Sequence, residues 1–170
     1  MKLNKNLVII GMMGSGKSTI GRLLAKELNL RFIDVDNVIE QKTKMKISKI
    51  FEKKGEVSFR NLEEKITLKI LDKINCVVSL GGGGFLNEKI RKEVQEKNVP
   101  IWLNWKPETL INRIRKNSRR PVILNLNDIE LKKLIFNRSK IYSKSKYKIN
   151  CEKMGKKEIV KEIIQVYEAL

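Results

Sequence analysis

The stretch Gly11–Ser18, GMMGSGKS, constrains this chain more than any other. It fits the pattern GxxxxGK[ST] at every defined position and follows the apolar run LVII (7–10). It precedes a segment with helical period, in which Ile20, Leu23, Leu24 and Leu28 mark one face. Strand, glycine-rich loop and helix in that order let backbone N–H groups wrap a phosphate, and the helix N-terminus adds partial positive charge. Lys17 then reaches the β- and γ-phosphates, and the Ser18 hydroxyl is placed to bind Mg2+. The alternative, a glycine turn before an ordinary helix, leaves Gly14, Gly16, Lys17 and Ser18 coinciding by accident. The loop predicts a protein that binds a nucleoside triphosphate.

The same alternation runs through the rest of the chain. LVII (7–10), RFIDV (31–35), CVVSL (76–80), VPIWL (99–103) and YKIN (147–150) read as buried strands. Residues 17–28, 57–74, 107–116, 128–142 and 156–169 have helical period between and after them. This predicts an α/β fold, a five-stranded, mainly parallel sheet with helices on both faces. With no repeat and no Pro-, Gly- or Ser-rich linker, residues 1–170 read as a single domain. Two segments break the pattern. Residues 36–56 read as short helices inserted after the second strand, and 117–127 as a loop, because Arg120 precedes Pro121 and is steered out of the helical region. Inserts at the ligand edge of such a sheet commonly form substrate pockets and lids.

Composition narrows the chemistry. The chain has two cysteines, Cys76 and Cys151, and no histidine, which excludes Cys/His metal sites and a histidine general base. Both cysteines fall in probable strands and read as small buried apolar residues. Acid–base work is left to carboxylates, lysine or positioning. The net charge of +18 (37 basic, 19 acidic) is spread along the whole chain, with no dense arginine tract and no paired aromatics of an RNA-reading sheet. No nucleic-acid partner is expected, although an anionic small substrate profits from the field. No apolar run approaches the roughly 18 residues that span a bilayer, so no membrane association is expected. The N-terminus has too short an apolar run for a signal peptide, which points to the cytoplasm.

Asp34 and Asp36 pose a sharper question. On a strand, residues spaced i, i+2 point the same way, and two like charges so close repel unless a cation offsets them. One reading makes them turn or cap residues. In the other, Asp34 lies beside the phosphate loop and holds Mg2+, while Asp36, further out, faces whatever accepts the phosphoryl group. Three weaker signals accompany them. Phe59-Arg60 is followed by Glu63 and Glu64, four glycines (81–84) follow the third strand, and Arg119, Arg120 and Arg138 lie in SRRP and NRSKIY. Taken singly, these read as an exposed ion pair, a flexible loop and solvated surface.

Taken together, the phosphate loop through Thr19, FIDVD (32–36), GEVSFRNLEE (55–64), SLGGGG (79–84), RRP (119–121) and NRSKIY (137–142) resemble the shikimate kinase family almost end to end. The resemblance implies ATP and shikimate as partners, Mg2+ as cofactor, and transfer to the 3-hydroxyl of shikimate by a monomer. It implies a substrate-binding insert at about 36–62 and a mobile lid at about 115–127. Gly14, Ser15, Gly16, Lys17, Ser18 and Thr19 would bind the ATP phosphates, with Lys17 on the transferred group; Ser18 and Asp34 would hold the metal. Asp36 would bond the shikimate hydroxyls and act as base. Arg60 and Arg138 would grip the carboxylate, with the Gly82 backbone alongside. Arg120 would close over the phosphates, and Arg113 would lie near the adenine. Glu63, one turn beyond Arg60, is expected to hold that guanidinium in place.

The chain departs from the family pattern in three places. Gly84 stands where alanine is usual, RSKIY lacks a proline often found after the arginine, and CEKMGKKE gives no clear match for an adenine-contact region. The competing readings are another phosphate-loop kinase, such as a gluconate kinase, and a basic nucleic-acid-associated NTPase.

Overall fold

Every residue of β1 (Leu7–Ile10) is buried, and successive side chains enter opposite cores, as the strand pleat dictates. Val8 and Ile10 pack with Ile33, Val78 and Trp102; Leu7 and Ile9 pack with Val77, Ile101 and Ile149. A strand apolar on both sides belongs in a parallel sheet covered on both faces. The computed structural model, which describes residues 4–116 and 126–170, has that architecture. β2 (Arg31–Asp34), β3 (Cys76–Ser79), β4 (Val99–Asn104) and β5 (Tyr147–Asn150) complete a sheet in the order β2-β3-β1-β4-β5, with every pairing parallel.

The helices divide between the two cores. α1 (Lys17–Glu27) and α7 (Lys156–Glu168) cover Leu7 and Ile9 through Ile20, Leu24, Ile159 and Ile163. α2 (Val35–Thr43), α3 (Ile47–Leu71), α4 (Glu88–Lys97), α5 (Pro107–Lys116) and α6 (Asp128–Tyr142) pack on the other face. β1 therefore leaves through a helix on one face, and its neighbour β3 through a helix on the other. Adjacent parallel strands that part in this way open a crevice at their carboxyl ends, where open α/β sheets bind ligands. The phosphate loop follows β1 and the glycine run follows β3, so the two glycine-rich loops flank the crevice.

At the other end of the sheet, Asn6 is fully buried and ties four segments together. Its side-chain amide donates to the carbonyls of Leu71 and Lys73 and to Asn98 Oδ1, while its Oδ1 accepts from the Cys76 N–H at 3.0 Å. Its own carbonyl accepts from the Val99 N–H. One amide side chain thus fixes where β3 and β4 begin relative to β1.

Three elements differ from the sequence reading. The second strand stops at Asp34, and Val35 already belongs to α2. Asp34 is the N-cap, accepting from the Asn37 N–H at 3.3 Å, and so satisfies one of the donors a helix start leaves open. Asp34 and Asp36 are thus not two residues on one strand face; one caps the helix and the other lies in its first turn. The helix expected from residue 57 begins at Ile47 and ends at Leu71, with Gly55 at φ 75° breaking it in two. Its first part and α2 are the short helices expected over 36–56. α4 was not anticipated: its buried stripe is only Ile90 and Val94, on a segment otherwise charged. The lid expected at about 115–127 falls mostly on residues 117–125, which with Arg119 and Arg120 lie outside the described residues.

Candidate active site

Gly14 and Gly16 sit at φ 78° and 87°, in the left-handed region where a side chain is strained, and Gly16 is the N-cap of α1. The loop can therefore turn sharply and present its amides. Lys17, the first residue of α1, folds back on the loop, its Nζ donating to the Gly11 and Met12 carbonyls at 2.9 and 3.0 Å. Ser15 is buried with no partner for its hydroxyl among the described residues, and Thr19 is exposed on α1. The Ser18 hydroxyl donates to Asp34 Oδ2 at 2.5 Å, joining the start of α1 to the end of β2. A hydroxyl and a carboxylate already in contact are hard oxygen donors. Two protein oxygens completed by phosphate oxygens and water fit Mg2+.

The glycine run is the floor of a second cluster. A Cβ on Gly81 would lie 2.5 Å from Asp36 Oδ1 and 2.9 Å from Glu63 Oε1; one on Gly83 would collide with the Arg60 guanidinium. One on Gly82 would lie 3.3 Å from the Met13 N atom and 3.8 Å from Arg138 Nη1. A side chain at Gly81 or Gly83 would push these charged groups away, so glycine there lets them approach the backbone closely. Gly84 differs: its Cβ would make ordinary contacts with Leu80 at 3.5 Å, so an alanine fits there.

Arg60 is held from several sides. Its Nη1 donates to Glu63 Oε2 at 2.7 Å, Glu56 lies at 3.3 Å, and the guanidinium sits over the rings of Phe59 and Phe51 at 5.2 and 5.9 Å. Burial works to lower its pKa, but the Glu63 carboxylate, with help from Glu56, holds it above the ordinary arginine value. Arg138, on α6, donates from Nη1 to the Gly82 carbonyl at 3.4 Å and contacts Met12 Sδ at 3.9 Å. The cluster thus reaches the phosphate loop through Met12 and Met13.

Arg113 lies on the other flank. Its guanidinium stacks 3.7 Å over the Trp105 ring, and its Nη1 is 3.5 Å from the Gly14 carbonyl. The Trp105 indole N–H donates to the Ser15 carbonyl at 3.0 Å. Sequence reasoning named Arg113 but missed Trp105; its signal was a tryptophan directly after β4, the strand beside the phosphate loop. It also quoted Tyr142 within NRSKIY without giving it a role. Of the remaining expected residues, Lys17, Ser18 and Asp34 meet at the loop, and Asp36, Arg60, Gly82 and Arg138 meet at the glycine run.

A doubly covered parallel sheet whose switch point carries a phosphate loop beside a charged cradle belongs to the phosphate-loop kinases. The shikimate kinase family model matches residues 13–168, and the chain belongs to that family. It is 42% identical over 161 residues to a shikimate kinase of Persephonella marina, covering 94% of this chain and 97% of that one. A shikimate kinase of Sulfurihydrogenibium is 38% identical over 160 residues, covering 94% and 96%. Among solved structures, shikimate kinase from Acinetobacter baumannii in complex with shikimate superposes with a TM-score of 0.92 at 29% identity, covering 99% of this chain and 95% of that one. Shikimate kinase from Aquifex aeolicus gives 0.83 at 36% identity, covering 96% of each.

Proposed function

We propose that this chain transfers the γ-phosphoryl group of ATP to the 3-hydroxyl of shikimate, yielding shikimate 3-phosphate and ADP in aromatic amino acid biosynthesis. Family membership supports the reaction, and one structural observation supports the acceptor. Asp36, Arg60 and Arg138 converge on the glycine run, which lies beside the phosphate loop, so that a Cβ on Gly82 would come within 3.3 Å of the Met13 N atom. Two guanidiniums suit a planar carboxylate and fix a small anion in one orientation. One carboxylate opposite them then selects one hydroxyl among three.

In this reading the phosphate loop, Gly14 to Thr19, binds the ATP phosphates and Lys17 follows the transferred group. Ser18 and Asp34 would hold Mg2+, which would offset negative charge on the phosphates. Asp36 orients the 3-hydroxyl and accepts its proton as the new O–P bond forms and the bond from Pγ to the bridging oxygen breaks. Arg60 and Arg138 hold the shikimate carboxylate against the Gly82 backbone. Arg113 and Trp105 flank the adenine; Arg120, expected on the phosphates, lies outside the described residues. The insert at about 36–62 supplies Asp36 and Arg60. Phosphoryl transfer depends mainly on alignment and charge stabilisation, so a chain without histidine loses little.

We assign the enzyme to the cytoplasm, as a monomer. Among the described residues no helix is long and apolar enough to cross a membrane. The test is ADP release from Mg2+-ATP with and without shikimate, with gluconate and RNA as controls, and with chelator. Release should require shikimate and metal, fall about 10²- to 10⁴-fold in Asp36→Asn, and show a raised shikimate KM in Arg60→Ala. Stimulation by gluconate or RNA instead would overturn the acceptor assignment.

A further inference from the structure

Arg138 and Tyr142 lie one turn apart on α6 and so share a face. Tyr142 is 1% exposed and packs against Trp102, ring centroids 6.1 Å apart. Its hydroxyl donates to the Gly82 carbonyl at 2.5 Å, the oxygen that Arg138 Nη1 also approaches at 3.4 Å. A buried phenol needs an acceptor, and the one this hydroxyl takes is the backbone carbonyl that Arg138 also approaches. Burial, opposed by the Arg138 charge, pushes the phenol up to about 12, so the donor proton stays in place at any working pH.

Two consequences follow from elementary geometry. The Gly82–Gly83 peptide is trans and planar, so fixing its carbonyl on the α6 side turns the Gly83 N–H the opposite way. A glycine peptide has no side chain to hold it, and the Tyr142 hydroxyl supplies that restraint. The second concerns Arg138. With the Tyr142 hydrogen bond made, the Gly82 oxygen is satisfied and the guanidinium is engaged there only at long range. Without it, a buried acceptor would be left open, and the nearest donor able to fill it is Arg138 itself.

We propose that Tyr142 is a positioning residue for the acceptor site: its hydroxyl fixes the Gly82–Gly83 peptide and keeps the Arg138 guanidinium available to the substrate carboxylate. This rests on the reading of Arg138 and Gly82 as acceptor contacts. It goes beyond that reading by giving a role to a buried residue whose hydroxyl is engaged with a backbone carbonyl.

The test is a kinetic cycle of wild type, Tyr142→Phe, Arg138→Ala and the double variant, run at 15 °C with folding checked by circular dichroism. Tyr142→Phe should raise the shikimate KM about five- to twenty-fold, with kcat and the ATP KM within about twofold. In the Arg138→Ala background the same change should raise the KM by a clearly smaller factor, because part of the effect of Tyr142 runs through Arg138 and the remainder through the Gly82–Gly83 peptide. A shikimate KM that does not move in folded Tyr142→Phe, an ATP KM that moves in step, or full additivity with Arg138→Ala would each overturn the proposal. If the wild type uses shikimate and Arg138→Ala raises its KM while Tyr142→Phe does not, only the Tyr142 role falls. If the wild type does not use shikimate, the functional reading fails and this inference falls with it.

Discussion

Arg60 and Glu63 form an ion pair with unequal partners: a 2.7 Å contact joins a guanidinium that is 32% exposed to a carboxylate that is 3% exposed. Glu63 is fixed in the core and Arg60 reaches from it toward the crevice. Arg60→Ala strips a buried carboxylate of this partner and is expected to destabilise the protein by about 1–3 kcal/mol. Arg60→Ala/Glu63→Ala should recover part of that loss in urea unfolding. Glu63→Ala alone leaves Arg60 able to swing, and should raise the shikimate KM about tenfold while leaving the ATP KM unchanged.

Two glycines separate packing from function. Gly21 lies in α1 against the Phe32 ring, and Gly83 lies against Arg60 with φ at −104°, where alanine is unstrained. Gly21→Ala must displace an aromatic ring and should cost about 1–3 kcal/mol, with normal turnover per folded molecule. Gly83→Ala displaces a flexible guanidinium instead. Its melting temperature should stay close to wild type while its shikimate KM rises about tenfold or more. Active-site titration against thermal melts distinguishes the two.

Trp105 joins Arg113 to the phosphate loop through its stacked ring and its bond to the Ser15 carbonyl. Trp105→Phe keeps a ring and loses the donor; Trp105→Ala loses both. The ATP KM should rise about three- to ten-fold in Phe and further in Ala, with the shikimate KM unmoved. Nucleotide binding should also change the fluorescence of Trp105, a signal that Trp105→Phe abolishes.

Alkaline pH should weaken the fold. Burial raises the Cys151 thiol from 9.0 to about 12 and the Tyr142 phenol from 10.0 to about 12. Above pH 9 the unfolded chain loses protons that the folded chain keeps, so stability falls as pH rises. The contribution is complete below pH 9 and is lost progressively toward pH 12. Melting temperatures between pH 8 and 11 should show this fall, and Cys151→Ala should flatten its lower part. The same burial predicts that Cys151 resists thiol reagents at pH 8 until the protein unfolds.

The sheet was legible because β1, β3 and β4 are apolar on both faces and separated by helical periods, and both are local signals. The phosphate loop was legible because glycines, lysine and serine at fixed spacing have one efficient joint use. The break between Asp34 and Asp36 was not legible. FIDVD continues as an apolar alternation, whereas the helix start depends on Asp34 capping Asn37. α4 escaped because two buried residues, Ile90 and Val94, are too few to set a period. The charged cradle was visible only through family resemblance: Asp36, Arg60 and Arg138 come from three elements, and no local pattern brings them together. Trp105 and Tyr142 act by touching backbone carbonyls distant in sequence, which leaves no trace in spacing.

Asn6 lies at the far rim of the sheet from all of this chemistry, holding the starts of β3 and β4 to β1. The molecule therefore keeps its anchor and its reactive groups on opposite shores, with the length of a strand between them. The charged residues of the cradle on α2, α3 and α6 can be exchanged without loosening the knot that sets strand register. A scaffold arranged in this way can change what it phosphorylates long before it forgets how to fold.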